Sequence, residues 1–405
     1  MRNLGKRSGK VLLLAILASC LPTAHAEVEV PGVVIAHFPA SSGVYIGSPS
    51  LAILPNGEYV ASHDGFGPSH EFGRTYLYRS PNGGNTWKRL PDVEGQGSST
   101  LFVHDGALYL MGLGSRSVVI RRSADGGDSW TTPQDAETGI LLKGRYSTAP
   151  VPVIAHEGRV WRAMEDTLGP GDWASHFRAF IMSAPEQADL LQAASWTRSE
   201  PLGGDRAWLD NTFGGWLEGN AVVGPDDTVA IVLRVNYFSF EGAKAALIHV
   251  SSDGKTLSFD PATGLTQLPG GAKKFTIRYD PTSQHYWSLT NFVPQRHRHG
   301  GQLHPGGNPE STRNTLALVS SPDLENWSVR SIELYHPDTS KHGFQYADWQ
   351  FDGGDIVAVS RTAYDDEFGG AHDMHDANYL TFHRVCDFRA TLENPAGDPW
   401  GLLDE

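Results

Sequence analysis

The stretch Ser80-Pro81-Asn82-Gly83-Gly84-Asn85-Thr86-Trp87 returns 43 residues later as Ser123-Ala124-Asp125-Gly126-Gly127-Asp128-Ser129-Trp130. The first copy follows an alternating run, Arg74-Thr75-Tyr76-Leu77-Tyr78-Arg79, that reads as a strand. Asp or Asn at the third position folds back onto backbone amides, the glycines take positive φ, and the Trp closes the turn. Such a turn repeated every 40 residues or so, about one blade length, marks a radial array of four-stranded sheets. Weaker copies stand at Ser252-Asp253-Gly254-Lys255 and at Ser321-Pro322-Asp323-Leu324-Glu325-Asn326-Trp327. The fold class is therefore all-β, a single β-propeller. The turn itself carries no chemistry.

Composition agrees. Glycine is abundant (45 of 405 residues), Trp is frequent (11), and charged residues make up only 19%. Many tight turns and aromatic packing surfaces fit an all-β domain. The net charge of −14 argues against a nucleic-acid partner. Cys20 and Cys386 are the only cysteines, so residues 27–405 hold no internal disulfide and rely on a large core.

The N-terminus carries Lys6, Arg7 and Lys10 before the apolar run Val11 to Ala18, which reads as an export signal. Two processing sites compete. Ala24-His25-Ala26 predicts cleavage after residue 26, and Leu17-Ala18-Ser19-Cys20 predicts a lipoprotein signal ending at residue 19 with Cys20 lipidated. Either predicts a periplasmic or secreted protein, and no later run is apolar enough for a membrane helix.

Six blades are read, beginning near Ser48, Thr100, Tyr146, Glu218, Lys274 and Phe344, with a seventh left open. The stretch Glu27 to Phe38 is expected to close the ring by adding a strand to the last blade. A helical insert is expected from Pro185 to Ala194, and a His/Gly-rich rim loop from Pro294 to Pro309.

In a propeller blade the innermost strand starts, and the second strand ends, on one face near the axis. That geometry gathers His63, Tyr146, Arg162, Arg234 and Arg361 around a common mouth. Arginines facing one cleft in an acidic protein suggest a carboxylate-bearing ligand, because guanidinium binds carboxylate in a two-pronged fashion. The alternative pairs each with a neighbouring acid: Arg162 with Glu165 or Asp166, and Arg361 with Asp365 or Asp366. His63, Tyr146 and Arg162 are the catalytic candidates. Asp64, which can orient the His63 imidazole, joins Glu218, Asn220, Arg234, Arg361, His342 and Gln345 as the substrate-binding candidates. His297, His299 and His304 in the rim loop have no carboxylate or Cys spaced to complete a metal site, whereas for His372 and His375, which flank Asp373 and Asp376, a metal or substrate role is left open. No cofactor is expected.

Several phrases carry a family resemblance: Val60-Ala61-Ser62-His63-Asp64-Gly65-Phe66-Gly67, Arg145-Tyr146-Ser147-Thr148-Ala149-Pro150, Trp161-Arg162-Ala163-Met164-Glu165-Asp166, Trp216-Leu217-Glu218-Gly219-Asn220 and His375-Asp376-Ala377-Asn378-Tyr379-Leu380. With the repeated turns, the Asp boxes of that family, they resemble bacterial sialidase-like BNR-repeat propellers over nearly the whole chain. Within that group the chain looks similar to α-L-rhamnosidases and to ulvan or rhamnosyl-glucuronate lyases, which are described as seven-bladed. The resemblance to the rhamnosidases implies His63 as acid/base. The resemblance to the lyases implies Tyr146 and Arg162, at their sixteen-residue spacing, without the upstream His pair. Sialidases use an arginine triad, a Tyr nucleophile backed by Glu, and an early Arg-Ile-Pro phrase that is absent here. The resemblance thus implies an exo-acting glycoside hydrolase cleaving at or next to a uronic acid, with a lyase, a sialidase or a non-catalytic glycan-binding propeller as alternatives. The expected partner is an acidic oligo- or polysaccharide, and the expected state is a monomer.

Overall fold

In the computed structural model, which describes residues 29–237, 239, 241–298, 308–394 and 398–403, both quoted turns join the third strand of a blade to its outer edge. Ser80 Oγ donates to Asn82 Oδ1 and accepts from Gly84 N (2.9 Å), and Thr86 N donates to Asn82 Oδ1 (3.0 Å). Ser123, Asp125, Gly127 and Ser129 repeat the pattern. The hydroxyl and amide hydrogen bonds hold the Asp125 carboxyl down at about 2. Gly84 has φ 90°, and a Cβ there would stand 2.1 Å from the Phe382 ring of the neighbouring blade. The turn therefore also seats one blade on the next. Trp87 and Trp130 are half-buried rather than fully enclosed, because each lies in the seam between blades with an edge left open.

Six antiparallel sheets of four to six strands follow in chain order. Their second strands are Tyr59–Phe66, Ala107–Gly114, Arg159–Asp166, Val229–Tyr237, His285–Thr290 and Asp355–Ala363. The described residues contain no seventh sheet. Val33–His37 pairs with Tyr379–Val385, so the first strand is the outer edge of the last blade and closes the ring. The expected insert at Pro185 to Ala194 is a run of turns ending in a 3-10 turn at Ala193–Ser195: the run has no apolar stripe to bury along a helix.

Around the axis, side chains of one inner strand satisfy the backbone of the next. Leu101 N donates to Ser50 Oγ, Val151 N to Thr100 Oγ1, and Ile277 N to Asn220 Oδ1. Asp348 ties the last blade to the first through Ser50 Oγ (2.8 Å) and Leu51 N (2.9 Å). Inner strands lie splayed, so these clasps replace a continuous hydrogen-bond ladder.

Three inner strands share a defect. Their pairing slips between Gly97 and Thr100, between Leu217 and Asn220, and between Gln345 and Asp348. At these bulges Ser98, Glu218 and Tyr346 take positive φ of 49°, 60° and 56°. A bulge re-aims its side chain, and non-glycine residues rarely adopt this backbone. Blades 2, 4 and 6 thus each present one residue at the same level of the axis. Among the described residues no helix is long and apolar enough to cross a membrane.

Candidate active site

Two of the re-aimed residues meet. Tyr346 Oη donates to Glu218 Oε1 at 2.7 Å, and Arg234 NH1 donates to Glu218 Oε2 at 2.9 Å. Burial pushes the Glu218 carboxyl up, but Arg234, the Tyr346 hydroxyl and Lys274 overcome this and hold it below its ordinary value. Burial and the Glu218 charge push the Tyr346 phenol up. The pair is therefore a neutral phenol facing an anionic carboxylate, aligned for proton transfer if the phenol oxygen acts as a nucleophile.

Three arginines surround this pair. Glu218, Arg234, Arg313 and Arg361 are 6%, 6%, 7% and 3% exposed. Arg361 lies between the rings of Phe66 (4.6 Å) and Tyr346 (4.7 Å), with Nε and NH2 both donating to His375 O. Arg313 lies 5.9 Å from the Tyr346 ring centre, and its buried NH1 has no partner among the described residues. Burial, reinforced by repulsion from Arg234 and Arg361, pushes Arg313 down to about 9. Neither Arg313 nor Arg361 forms an ion pair with a described acid. Buried, unpaired guanidinium groups are costly unless an anion joins them.

Asp64 stands across the mouth. Its carboxylate accepts from Ser48 N and from Ser98 N (2.7 Å), the latter at the bulge of blade 2. Burial pushes this carboxyl up. Trp173, 58% exposed, sits 5.9 Å from the Arg234 guanidinium. Beneath Glu218, Glu165 Oε1 accepts from Gly219 N at 2.9 Å, and burial pushes its carboxyl up to about 7.

The predicted residues divide sharply. Glu218, Arg234, Arg361 and Asp64 converge. His63 does not reach the mouth: it is buried, packed against Tyr76 (4.8 Å) and Tyr78, with Nδ1 hydrogen-bonded to Asp64 O, and burial drives it down to about 4. It supports Asp64 through the backbone. Arg162 is fully buried, with its guanidinium taken up by Val151 O, Ala149 O and Thr148 Oγ1. Tyr146 packs on Phe180 and donates to Lys143 O, so the expected Tyr146–Arg162 pair does not form. Asn220 and Gln345 are structural ties: Asn220 clasps Ile277 N, and Gln345 Nε2 donates to Met374 O and His375 O. His342 stacks on His336 and bonds Asp338 below the rim. The alternation that places strand side chains fails at bulges, which is why Tyr346, one residue beyond Gln345, was missed. Arg313 lies outside any strand, in Ser311-Thr312-Arg313-Asn314, where periodicity says nothing. His372, Asp373 and Asp376 bring ligand atoms within 4.8 Å of one another at the rim, where they already bond each other.

No protein family matches the sequence, and no curated protein matches it. Solved structures do match. A Penicillium chrysogenum α-L-arabinanase complexed with arabinobiose is 15% identical over 89% of this chain and 98% of its own, with a TM-score of 0.52. The likeness is one of fold. The Hadza microbial sialidase Hz136 is 13% identical over 88% of this chain and 68% of its own, with a TM-score of 0.58. A Trypanosoma rangeli sialidase in complex with sialic acid is 13% identical over 91% of this chain and 60% of its own, with a TM-score of 0.52.

Proposed function

We propose that the chain is an exported, exo-acting retaining glycoside hydrolase that removes a carboxylate-bearing sugar. The observation that carries this reading is the Tyr346–Glu218 hydrogen bond beneath three buried arginines, two of them without an acid partner among the described residues. The arginines bind the sugar carboxylate. Glu218 takes the phenol proton as Tyr346 Oη attacks the anomeric carbon. The glycosidic C–O bond breaks, and Asp64 protonates the departing oxygen. Water then attacks the anomeric carbon, giving its proton to Asp64, as the bond from that carbon to Tyr346 Oη breaks and Glu218 returns a proton to the phenol oxygen.

The same contacts favour one substrate class. Arg313 and Arg361 flank the Tyr346 ring itself, so a carboxylate held between them lies beside the nucleophile. That suits a 2-ulosonic acid, whose carboxylate sits on the anomeric carbon. A neutral phenol approaches that centre without the repulsion that a carboxylate nucleophile would meet. The uronic-acid substrate, including the rhamnose–glucuronate linkage, draws on the arginines alone. The lyase alternative lacks its Tyr146–Arg162 pair.

The test uses 4-methylumbelliferyl glycosides of N-acetylneuraminic acid and of D-glucuronic acid. Release from the first, together with a covalent adduct of a fluorinated ulosonosyl fluoride on the peptide containing Tyr346, supports the reading. Release from the glucuronide alone moves the substrate to uronic acids. A near-ultraviolet chromophore from an acidic polysaccharide, without either release, replaces hydrolysis by elimination.

A further inference from the structure

Residues 371–378 are the second part of the link between the second strand, Asp355–Ala363, and the third, Tyr379–Val385, of the last blade. This segment is tied at many points. Met374 N donates to Ser340 O (2.8 Å), Met374 O and His375 O accept from Gln345 Nε2, and His375 O also accepts from Arg361. His375 N and Asp376 N both donate to Asp373 Oδ1, at 2.7 and 2.8 Å. A loop fixed so closely presents its side chains in one arrangement.

One of them has an unused polar atom. His375 Nδ1 bonds Asp376 Oδ1 at 2.8 Å. Asp376 is itself held, with Oδ2 3.2 Å from His372 Nδ1 and His372 stacked on Tyr45. An acceptor at Nδ1 assigns the proton there and leaves Nε2 with its lone pair. No described group bonds Nε2, and 41% of the side chain stays exposed beside Phe66. Burial and the nearby Arg361 and Arg313 drive the imidazole down to about 4, so at neutral pH it is uncharged. A neutral acceptor next to two guanidinium groups does not attract a carboxylate or a cation. It matches a hydroxyl.

We propose that His375, oriented by Asp376, accepts a hydrogen bond from a hydroxyl of the sugar whose carboxylate Arg313 and Arg361 hold. This rests on the carboxylate-sugar reading above and adds the group that distinguishes a polyhydroxylated acid from a bare one. His375 is then a specificity-determining contact, separate from the bond-breaking groups.

Calorimetry on the folded full chain tests it with three probes: acetate, N-acetylneuraminic acid and D-glucuronic acid. His375→Ala should weaken the sugar acid bound by the wild type about tenfold while leaving acetate within about twofold, as expected for loss of one neutral hydrogen bond. His375→Gln, which restores an acceptor, should recover part of that loss. Far-ultraviolet circular dichroism and Tm exclude misfolding as the cause. Equal weakening of acetate and sugar acid, or no weakening of either, overturns the hydroxyl contact. So does a failure of His375→Gln to rescue. Wild-type protein that binds acetate but neither sugar acid sinks the carboxylate-sugar reading and this contact with it, an outcome distinct because no variant is needed to see it.

Discussion

Tyr346 and Glu218 stand 128 residues apart in the chain, yet the phenol of one donates to the carboxylate of the other at 2.7 Å. Both occupy positive-φ positions at bulges of inner strands, in blades 6 and 4. Local backbone strain of this kind persists only where the surrounding structure enforces it, and it gathers at functional sites. Here the axial clasps supply the enforcement: Asn220 holds the strand after Glu218, and Asp348 holds the strand after Tyr346.

Tyr346→Phe removes the attacking oxygen and the donor to Glu218 with little change in volume. Glu218→Gln removes the base. Each should lower kcat by about 10²- to 10⁴-fold, the range for a proton-transfer group, while His63→Ala should be far milder. Steady-state kinetics on the substrate that releases 4-methylumbelliferone checks the ranking.

Arg313 gives a trade-off. Its buried guanidinium is depressed by burial and by Arg234 and Arg361, so the folded state carries the charge at a cost. Arg313→Met should raise stability by about 1–3 kcal/mol while raising KM for a carboxylate sugar at least tenfold. Denaturant unfolding and kinetics on the same preparation measure both. A variant that is less stable than the wild type contradicts the unpaired-charge argument.

Glu165 sets a pH dependence. Burial raises its folded-state value from 4.5 to about 7. The folded protein therefore holds a proton that the unfolded chain releases. The resulting stabilisation is complete below pH 4.5 and is lost progressively as pH rises to about 7, on the order of 3 kcal/mol in all. Glu165→Gln keeps an acceptor for Gly219 N but cannot ionise, so its Tm should fall less than that of the wild type between pH 5 and 8. Parallel thermal melts across that window test the difference.

Two glycines with similar backbones separate seam packing from turn strain. Gly57 has φ 85° with nothing near a hypothetical Cβ, whereas at Gly84, φ 90°, that Cβ collides with Phe382. Gly57→Ala should cost about 1 kcal/mol, from backbone strain alone. Gly84→Ala should cost roughly 1–3 kcal/mol more through the seam between the first and last blades. Equal costs in urea titrations would show that the turn does not seat one blade on the other.

The local chemistry of the turns was legible in the sequence. Ser80, Asn82, Gly84 and Trp87 satisfy one another within eight residues, so the signal, the blade and the all-β ring follow from short-range hydrogen bonding and period-two strands. Strand-end direction also placed Glu218, Arg234 and Arg361 on one face, and the structure brings these three side chains together around Tyr346. Tertiary structure alone decided the rest. A bulge shifts side-chain direction by one residue, so Tyr346 faces the axis while Gln345 ties down a loop and Asn220 clasps the next strand. Arg313 arrives from a stretch with no period. His63, Tyr146 and Arg162 carry the right chemical groups at the right strand ends, but other contacts occupy them: Tyr76 and Tyr78 pack on His63, Val151 O, Ala149 O and Thr148 Oγ1 take up Arg162, and Tyr146 turns to Lys143 O. Which polar group is buried by a partner and which meets the solvent-filled mouth depends on contacts between distant segments, and no local pattern encodes that.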